Sequence, residues 1–370
     1  MFDLKNIYKE KSMTDSYAGA KQSSTTINPM QTQGFAFLEF TASKDSDHFT
    51  KTFTMLGFSK IATHLRKDVE LWQQGDIHFL VNRDINSVSQ QFSNQHGPCT
   101  SAMGFRVKDA DFAFERALTL GAEAFRGEGV INVPAIYGIG GSILYFVSED
   151  YNLENEFEII AGVDAASASQ GLVNLDHVTH NVLRGNMDKW AGFYEKLFNF
   201  REIRYFDIEG KLTGLKSRAM TSPCGQIRIP INESSDDKSQ IEEFIQAFNG
   251  EGIQHIALTS SNIYQTVASI RGNGIQFLDT PDTYYEGISK RVPWHNESIK
   301  DLHENKILID GAPTAEGGLL LQIFTDTVIG PAFFEIIQRK GDEGFGEGNF
   351  QALFDSIELD QVRRGVLKDR

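Results

Sequence analysis

Ala161-Gly162-Val163-Asp164-Ala165-Ala166-Ser167-Ala168-Ser169-Gln170-Gly171 is a run of small and polar residues, and the order of elements before it is repeated after it. Upstream, Gly34-Phe35-Ala36-Phe37-Leu38-Glu39-Phe40 reads as a strand, followed by a helix through Phe49, Phe53 and Leu56 that closes at Gly57-Phe58. Downstream, Leu175 to Val182 reads as a strand, and Met187 to Phe198 as a helix with Trp190, Phe193 and Leu197 on one face. The helix Ala110 to Leu118, ending at Gly121, answers Ile263 to Ile270, ending at Gly274. This repetition implies an α+β fold of duplicated βαβββ units forming two open β-barrel domains with helices outside. The expected division is a polar N-terminal arm at 1–33, an N-terminal domain at 34–160, a linker at 161–172 and a C-terminal domain at 173–370. Phe350, Leu353, Phe354 and Ile357 at helical spacing predict a closing helix over 349–366.

The chain has 370 residues, 40% of them apolar and 11% aromatic, ample for a large core. A formal charge of −15 argues against nucleic-acid or anionic-membrane surfaces, which need clustered Lys and Arg. Cys99 and Cys224 are the only cysteines, with no CxxC spacing, so no disulfide framework or zinc-thiolate site is indicated. No apolar run approaches the roughly 20 residues a bilayer requires, and Met1 to Gln33 is polar, unlike a signal peptide. A cytoplasmic location is expected.

Chemistry enters with His177, His255 and Glu335, each inside an apolar, β-prone segment: Asn174-Leu175-Asp176-His177-Val178-Thr179, Gly252-Ile253-Gln254-His255-Ile256-Ala257-Leu258 and Phe333-Phe334-Glu335-Ile336-Ile337. They lie 78 and 80 residues apart, too far for one local loop, so only the fold can bring them together. Two imidazoles and one carboxylate on one face of a metal, with the opposite positions open, form the ligand set of a non-haem Fe(II) oxygenase. A Glu among Phe and Ile residues needs a partner for its charge. Alternation along a strand turns His180 to the face opposite His177. In the first half, Phe35 falls opposite His177 and Ala102 opposite His255, neither a ligand, while Phe157-Glu158-Ile159-Ile160 echoes Phe334-Glu335-Ile336-Ile337. Arg339 shares a face with Glu335 only if the strand reaches it, and is not counted in the site. Tyr137-Gly138-Ile139-Gly140-Gly141-Ser142 precedes a strand rather than a helix and reads as a turn, not a phosphate loop.

Several motifs resemble those of the 4-hydroxyphenylpyruvate dioxygenases, a family within the vicinal oxygen chelate superfamily. They include Leu175-Asp176-His177-Val178-Thr179-His180-Asn181-Val182, Ser222-Pro223-Cys224-Gly225, Ile229-Pro230-Ile231-Asn232-Glu233, Leu321-Gln322-Ile323-Phe324 and Gly344-Phe345-Gly346-Glu347-Gly348-Asn349-Phe350. The resemblance implies that His177, His255 and Glu335 hold Fe(II). It implies catalytic roles for Ser217, Asn232, Gln240, Gln254 and Gln322, and substrate contacts from Phe324, Phe345, Asn349 and Phe350. Amides and a hydroxyl suit a phenol and a 2-oxo acid, and phenyl rings suit its ring. The activity implied is conversion of 4-hydroxyphenylpyruvate and O2 to homogentisate and CO2, in tyrosine and phenylalanine catabolism, by a homo-oligomer (dimer or tetramer). The alternatives are 4-hydroxymandelate synthase, which hydroxylates the benzylic carbon, and a metal-free binding protein on the same fold.

Overall fold

Alternating β-branched and aromatic residues build strands, and the Gly and Asn stops close helices, in nearly the order read above. A computed structural model describes residues 27–43, 46–152, 155–209, 214–311 and 317–363. The first half runs β1 (Thr32–Thr41), α1 (His48–Leu56), β2 (Ser59–His64), β3 (Val69–Gln74), β4 (Ile77–Asn82), α2 (Val88–His96), β5 (Cys99–Val107), α3 (Ala110–Thr119), β6 (Ala135–Tyr137), β7 (Ile143–Ser148) and β8 (Phe157–Ile159). The second runs β9 (Leu172–Val182), α4 (Met187–Phe198), β10 (Arg201–Glu209), β11 (Gly214–Thr221), β12 (Arg228–Ser234), α5 (Gln240–Phe248), β13 (Gly252–Ser260) and α6 (Ile263–Gly272). Three short helices, α7 (Asp282–Glu286), α8 (Ile288–Arg291) and α9 (Ile299–Asn305), then lead to β14 (Leu308–Gly311), β15 (Leu319–Phe324), β16 (Phe333–Lys340) and α10 (Glu347–Arg363).

Local signals explain the boundaries. Gly57 and Asn199 end α1 and α4 in the left-handed conformation that favours Gly and Asn. The Ser239 hydroxyl accepts the Glu242 N–H and starts α5, a cap worth about 1 kcal/mol. Met30 is fully buried, so ordered chain begins before the strand expected at Gly34. Residues 1–26 of the expected arm, the helix end at 364–366 and the side chains of Phe354 and Ile357 lie outside the described residues.

Each half is one eight-stranded sheet curled into a half-barrel, in the orders β6-β7-β5-β1-β4-β3-β2-β8 and β14-β15-β16-β13-β9-β12-β11-β10. The opening strand of each half, β1 or β9, pairs parallel with β4 or β12 and antiparallel with β5 or β13. Those antiparallel partners in turn pair parallel with β7 or β16.

The registers correct two expectations. Ala257 faces His177 on one side and Glu335 on the other, just as Gly104 faces Phe37 and Tyr145. Phe37, not Phe35, therefore occupies the place of His177, because α1 has 9 residues where α4 has 12, so counting back from the helix ends overshoots in the first half. Tyr145, not Glu158, occupies the place of Glu335. Glu158 sits in β8 at the far edge of the sheet against β2. Ala102 does fall where His255 falls, since Glu39 and Ile143 flank it as Thr179 and Phe333 flank His255.

One large apolar core passes through both halves. Phe79 stacks on Phe334 at 6.0 Å between ring centres, and Phe40 lies 6.5 Å from the same ring. Truncating Phe334 to Ala would cost about 3–5 kcal/mol. The Gly138–Ser142 turn forms before β7, as read, and its use is close approach. At Gly140, φ is +59°, and a Cβ there would lie 2.0 Å from the Glu251 carbonyl oxygen of the other half.

Candidate metal centre

The ligating atoms of His177, His255 and Glu335 lie within 4.8 Å of one another. Three adjacent strands place them. Ala257 on β13 separates His177 on β9 from Glu335 on β16, and His255, two residues before Ala257, points to the same inner face. The small Ala257 side chain, with Leu320 and Ile337, makes an apolar floor beneath the three groups. His177 Nε2 is 3.2 Å and His255 Nε2 3.5 Å from Glu335 Oε2.

The far side of each of the three groups is held. His177 Nδ1–H donates to Asp176 Oδ1 at 2.8 Å, and His255 Nδ1–H donates to Gln254 Oε1 at 2.5 Å. Both imidazoles thereby turn Nε2 toward the centre. Gln322 Nε2 donates to Glu335 Oε1 at 3.1 Å, while Gln322 Oε1 accepts from Asn349 Nδ2 at 2.9 Å. Asn349 Oδ1 in turn accepts the Tyr284 hydroxyl at 2.6 Å. Thr179 Oγ1 lies 2.8 Å from His255 Nε2.

Charge balance tests whether a cation fits. Arg339 neutralises Asp176, whose carboxyl it holds well below the usual range against the opposing effect of burial. Glu335 is 2% exposed, and among the described residues no Lys or Arg pairs with it. Burial pushes the His177 pKa down, but Glu335 and Asp176 outweigh it and raise the value. Burial and the neighbouring His177 hold His255 well below its ordinary value. The site favours positive charge at one point between an anionic oxygen and two imidazole lone pairs. With its one net negative charge, it suits a dication together with a monoanionic ligand, and so the residues fit a divalent metal.

The remaining residues singled out in the sequence divide into three groups. Ser217, Asn232 and Asn181 pair in register across β11, β12 and β9, a polar row on the His177 face, with Asn232 Nδ2 3.4 Å from Asn181 Oδ1. Aromatic rings flank the ligands. Phe345 meets the His177 ring edge-on at 5.3 Å, Phe333 stacks on His255 at 5.1 Å, and Phe324 contacts Phe333 at 6.0 Å. Gln254 and Gln322 are bonded to His255 and Glu335, and Asn349 to Gln322, rather than standing free. Gln240 is exposed on the first turn of α5, a start fastened to β12 through Ser234 Oγ and Ser239 Oγ at 2.6 Å. Phe350 is 37% exposed on α10. Asp176, Thr179, Asn181, Tyr284 and Phe333 went unread as site residues. Alternation from His177 through Thr179 to Asn181 was the available signal for two of them. Arg339 does reach the site, because β16 persists to Lys340.

Comparison with known proteins agrees with this geometry. Residues 174–309 match the profile described as glyoxalase/bleomycin resistance protein/dioxygenase superfamily, and residues 26–164 match that of hydroxyphenylpyruvate dioxygenase, HPPD, N-terminal. The chain is 57% identical to hemolysin VllY of Vibrio vulnificus (strain CMCP6), over 93% of this chain and 99% of that protein. It is 56% identical to 4-hydroxyphenylpyruvate dioxygenase of Pseudomonas aeruginosa PAO1, over 92% of this chain and 97% of that protein. A solved mutant of 4-hydroxymandelate synthase from Streptomyces coelicolor superposes with a TM-score of 0.77 at 25% identity, covering 90% of this chain and all of that one. The family models and the relatives above 50% identity make the chain a metal-dependent dioxygenase of the vicinal oxygen chelate class. Within it, the chain belongs to the hydroxyphenylpyruvate dioxygenase family. No helix among the described residues is long and apolar enough to cross a membrane.

Proposed function

We propose that the protein converts 4-hydroxyphenylpyruvate and O2 to homogentisate and CO2, with Fe(II) held by His177, His255 and Glu335. The convergence of those three side chains on one point of the inner face carries the reading. Relatives at 51–56% identity named for this activity support it. Bound ferrous iron supplies activation of O2 toward the 2-oxo acid, and the overall balance puts one oxygen atom in the new carboxylate and one on the ring.

The chain's own task is to hold, orient and exclude. Gln254 and Asp176 keep both imidazoles aimed at the centre, and Gln322, backed by Asn349, keeps Glu335 there. Ser217, Asn232 and Gln240 orient the polar ends of the substrate. Phe324, Phe345 and Phe350 wall its ring and keep water out. In the same proposal, residues 34–160 form a metal-free domain and residues 173–370 the catalytic one. A cytoplasmic location and a homo-oligomer complete it, the unpaired thiols of Cys99 and Cys224 supporting the first.

Aerobic incubation with Fe(II) and 4-hydroxyphenylpyruvate tests the reading. Homogentisate is the expected product. 4-Hydroxymandelate instead would assign the benzylic hydroxylase, and absence of both metal uptake and oxygen consumption would leave a binding protein.

A further inference from the structure

Beside the Asn349–Gln322 contact, Arg339 ties the candidate metal centre to the 342–346 turn. Its Nε and Nη2 fork the two oxygens of Asp176, each at 2.8 Å. Its Nη1 donates to the Asp342 and Gly344 carbonyl oxygens at 3.0 and 2.6 Å. Asp176 Oδ1 is the oxygen that holds His177. The guanidinium carbon also lies 5.7 Å over the Phe345 ring, whose edge meets His177. A closed circuit results: His177, Asp176, Arg339, the 342–344 turn, Phe345 and back to His177. The turn touches the other ligand as well, since a Cβ on Gly346 would lie 1.6 Å from Gln322 Oε1, and Gln322 holds Glu335.

Resting on the reading of the metal site above, we propose that Arg339 is a positioning residue coupling metal binding at His177 to ordering of the 342–346 turn and the start of α10. Four of its five N–H groups are used, two on each side, and all lie in one rigid plane. A shift of His177 toward a bound cation moves Asp176, and the fork transmits that movement to the turn. Reciprocity follows: an ordered turn tightens metal binding by the same factor by which metal orders the turn. Lysine keeps the charge but offers no fork, so it cannot bridge both partners.

The test uses full-length protein, anaerobically, with Fe(II) and separately with Co(II) as probes. Metal dissociation constants and amide hydrogen exchange over 342–350 are measured for wild type, Arg339→Lys and Asp176→Asn. In wild type, metal should slow exchange in the turn by about tenfold or more. Arg339→Lys should weaken metal binding by about 10–100-fold and abolish metal-dependent protection of the turn even at saturating metal. Asp176→Asn should weaken metal binding to a similar extent while leaving exchange in the metal-free turn near wild type, because the Nη1 bonds remain. A purely structural role would raise exchange throughout the fold instead. Wild-type metal affinity in Arg339→Lys, or a turn still protected at saturation, overturns the coupling. Should Arg339→Lys not fold, Arg339→Gln is read by the same two criteria. Wild-type protein that binds neither metal overturns the metal-site reading itself, a separate outcome.

Discussion

Around Ala257 the second half sets His177, His255 and Glu335, and around Gly104, on the same grid of strands, the first half sets Phe37, Ala102 and Tyr145. The first half is not short of buried charge. Glu39, at the place of Thr179, is fully buried, and burial raises its pKa despite hydrogen bonds that lower it. Its carboxyl accepts Asn82 Nδ2 at 2.8 Å and the Ser89 hydroxyl at 2.5 Å, with the Tyr145 hydroxyl 3.5 Å away. Val130, Ile131 and Phe37 fill the rest of that cup. Glu335 meets two imidazoles, whereas Glu39 meets neutral donors. A buried carboxylate becomes a ligand through its partners, and the fold supplies only the position.

The sharpest way to break the contrast is Glu335→Gln, which removes the one anionic ligand. Turnover should fall by more than about 10³-fold, roughly 4 kcal/mol of barrier. Wild-type activity in that variant would erase the difference between the halves. Glu39→Ala should act on stability instead, costing about 3 kcal/mol because buried Asn82 and Ser89 lose their acceptor. Urea unfolding would read that loss, and turnover per folded molecule should stay within about twofold of wild type.

Gln322→Ala addresses the support of Glu335 rather than the ligand itself. Metal affinity or activity should drop about 10–100-fold, measured by metal titration and oxygen uptake. At neutral pH the smallest effect belongs to His180, on the opposite face of β9, whose contribution shows only as pH falls. Burial pushes its pKa down to about 3 from an ordinary 6.5, and the Tyr194 hydroxyl lies 2.7 Å from its Nε2. Between those values the unfolded chain binds a proton that the folded chain refuses. This contribution to stability is therefore complete above pH 6.5 and is lost as pH falls toward about 3. In His180→Gln the slope of stability against pH over that window should shrink by up to about 1.4 kcal/mol per unit. An unchanged slope in urea titrations would show that His180 carries no such linkage.

The duplication, the helices and the three side chains that converge were legible because each leaves a local mark: a 3.6-residue stripe, a capping serine, a lone acid among phenylalanines. What was not legible is pairing. The Phe157-Glu158-Ile159-Ile160 echo has the composition of a strand, but composition carries no information about which edge the strand joins. Phe37 stands two residues from the place that counting back from the helix ends predicts, because α1 is shorter than α4 and the two halves keep the same strand register but not the same helix length. Arg339 and Asp176 lie 163 residues apart, a pairing that only the closed sheet reveals. Gln254 was noticed for its amide, but its task of steering His255 depends on the register shift between Ile253 and His255.

Phe334 and Glu335 are consecutive residues facing opposite ways along β16. The carboxylate reaches the metal centre, and the ring before it is seated on Phe79 and Phe40 of the other repeat. The first repeat thus serves as the anvil on which the strand of Glu335 is set. A gene that shed its first half would lose that backing, and the second repeat alone would keep His177, His255 and Glu335 yet hold the carboxylate on a strand with a bare aromatic behind it.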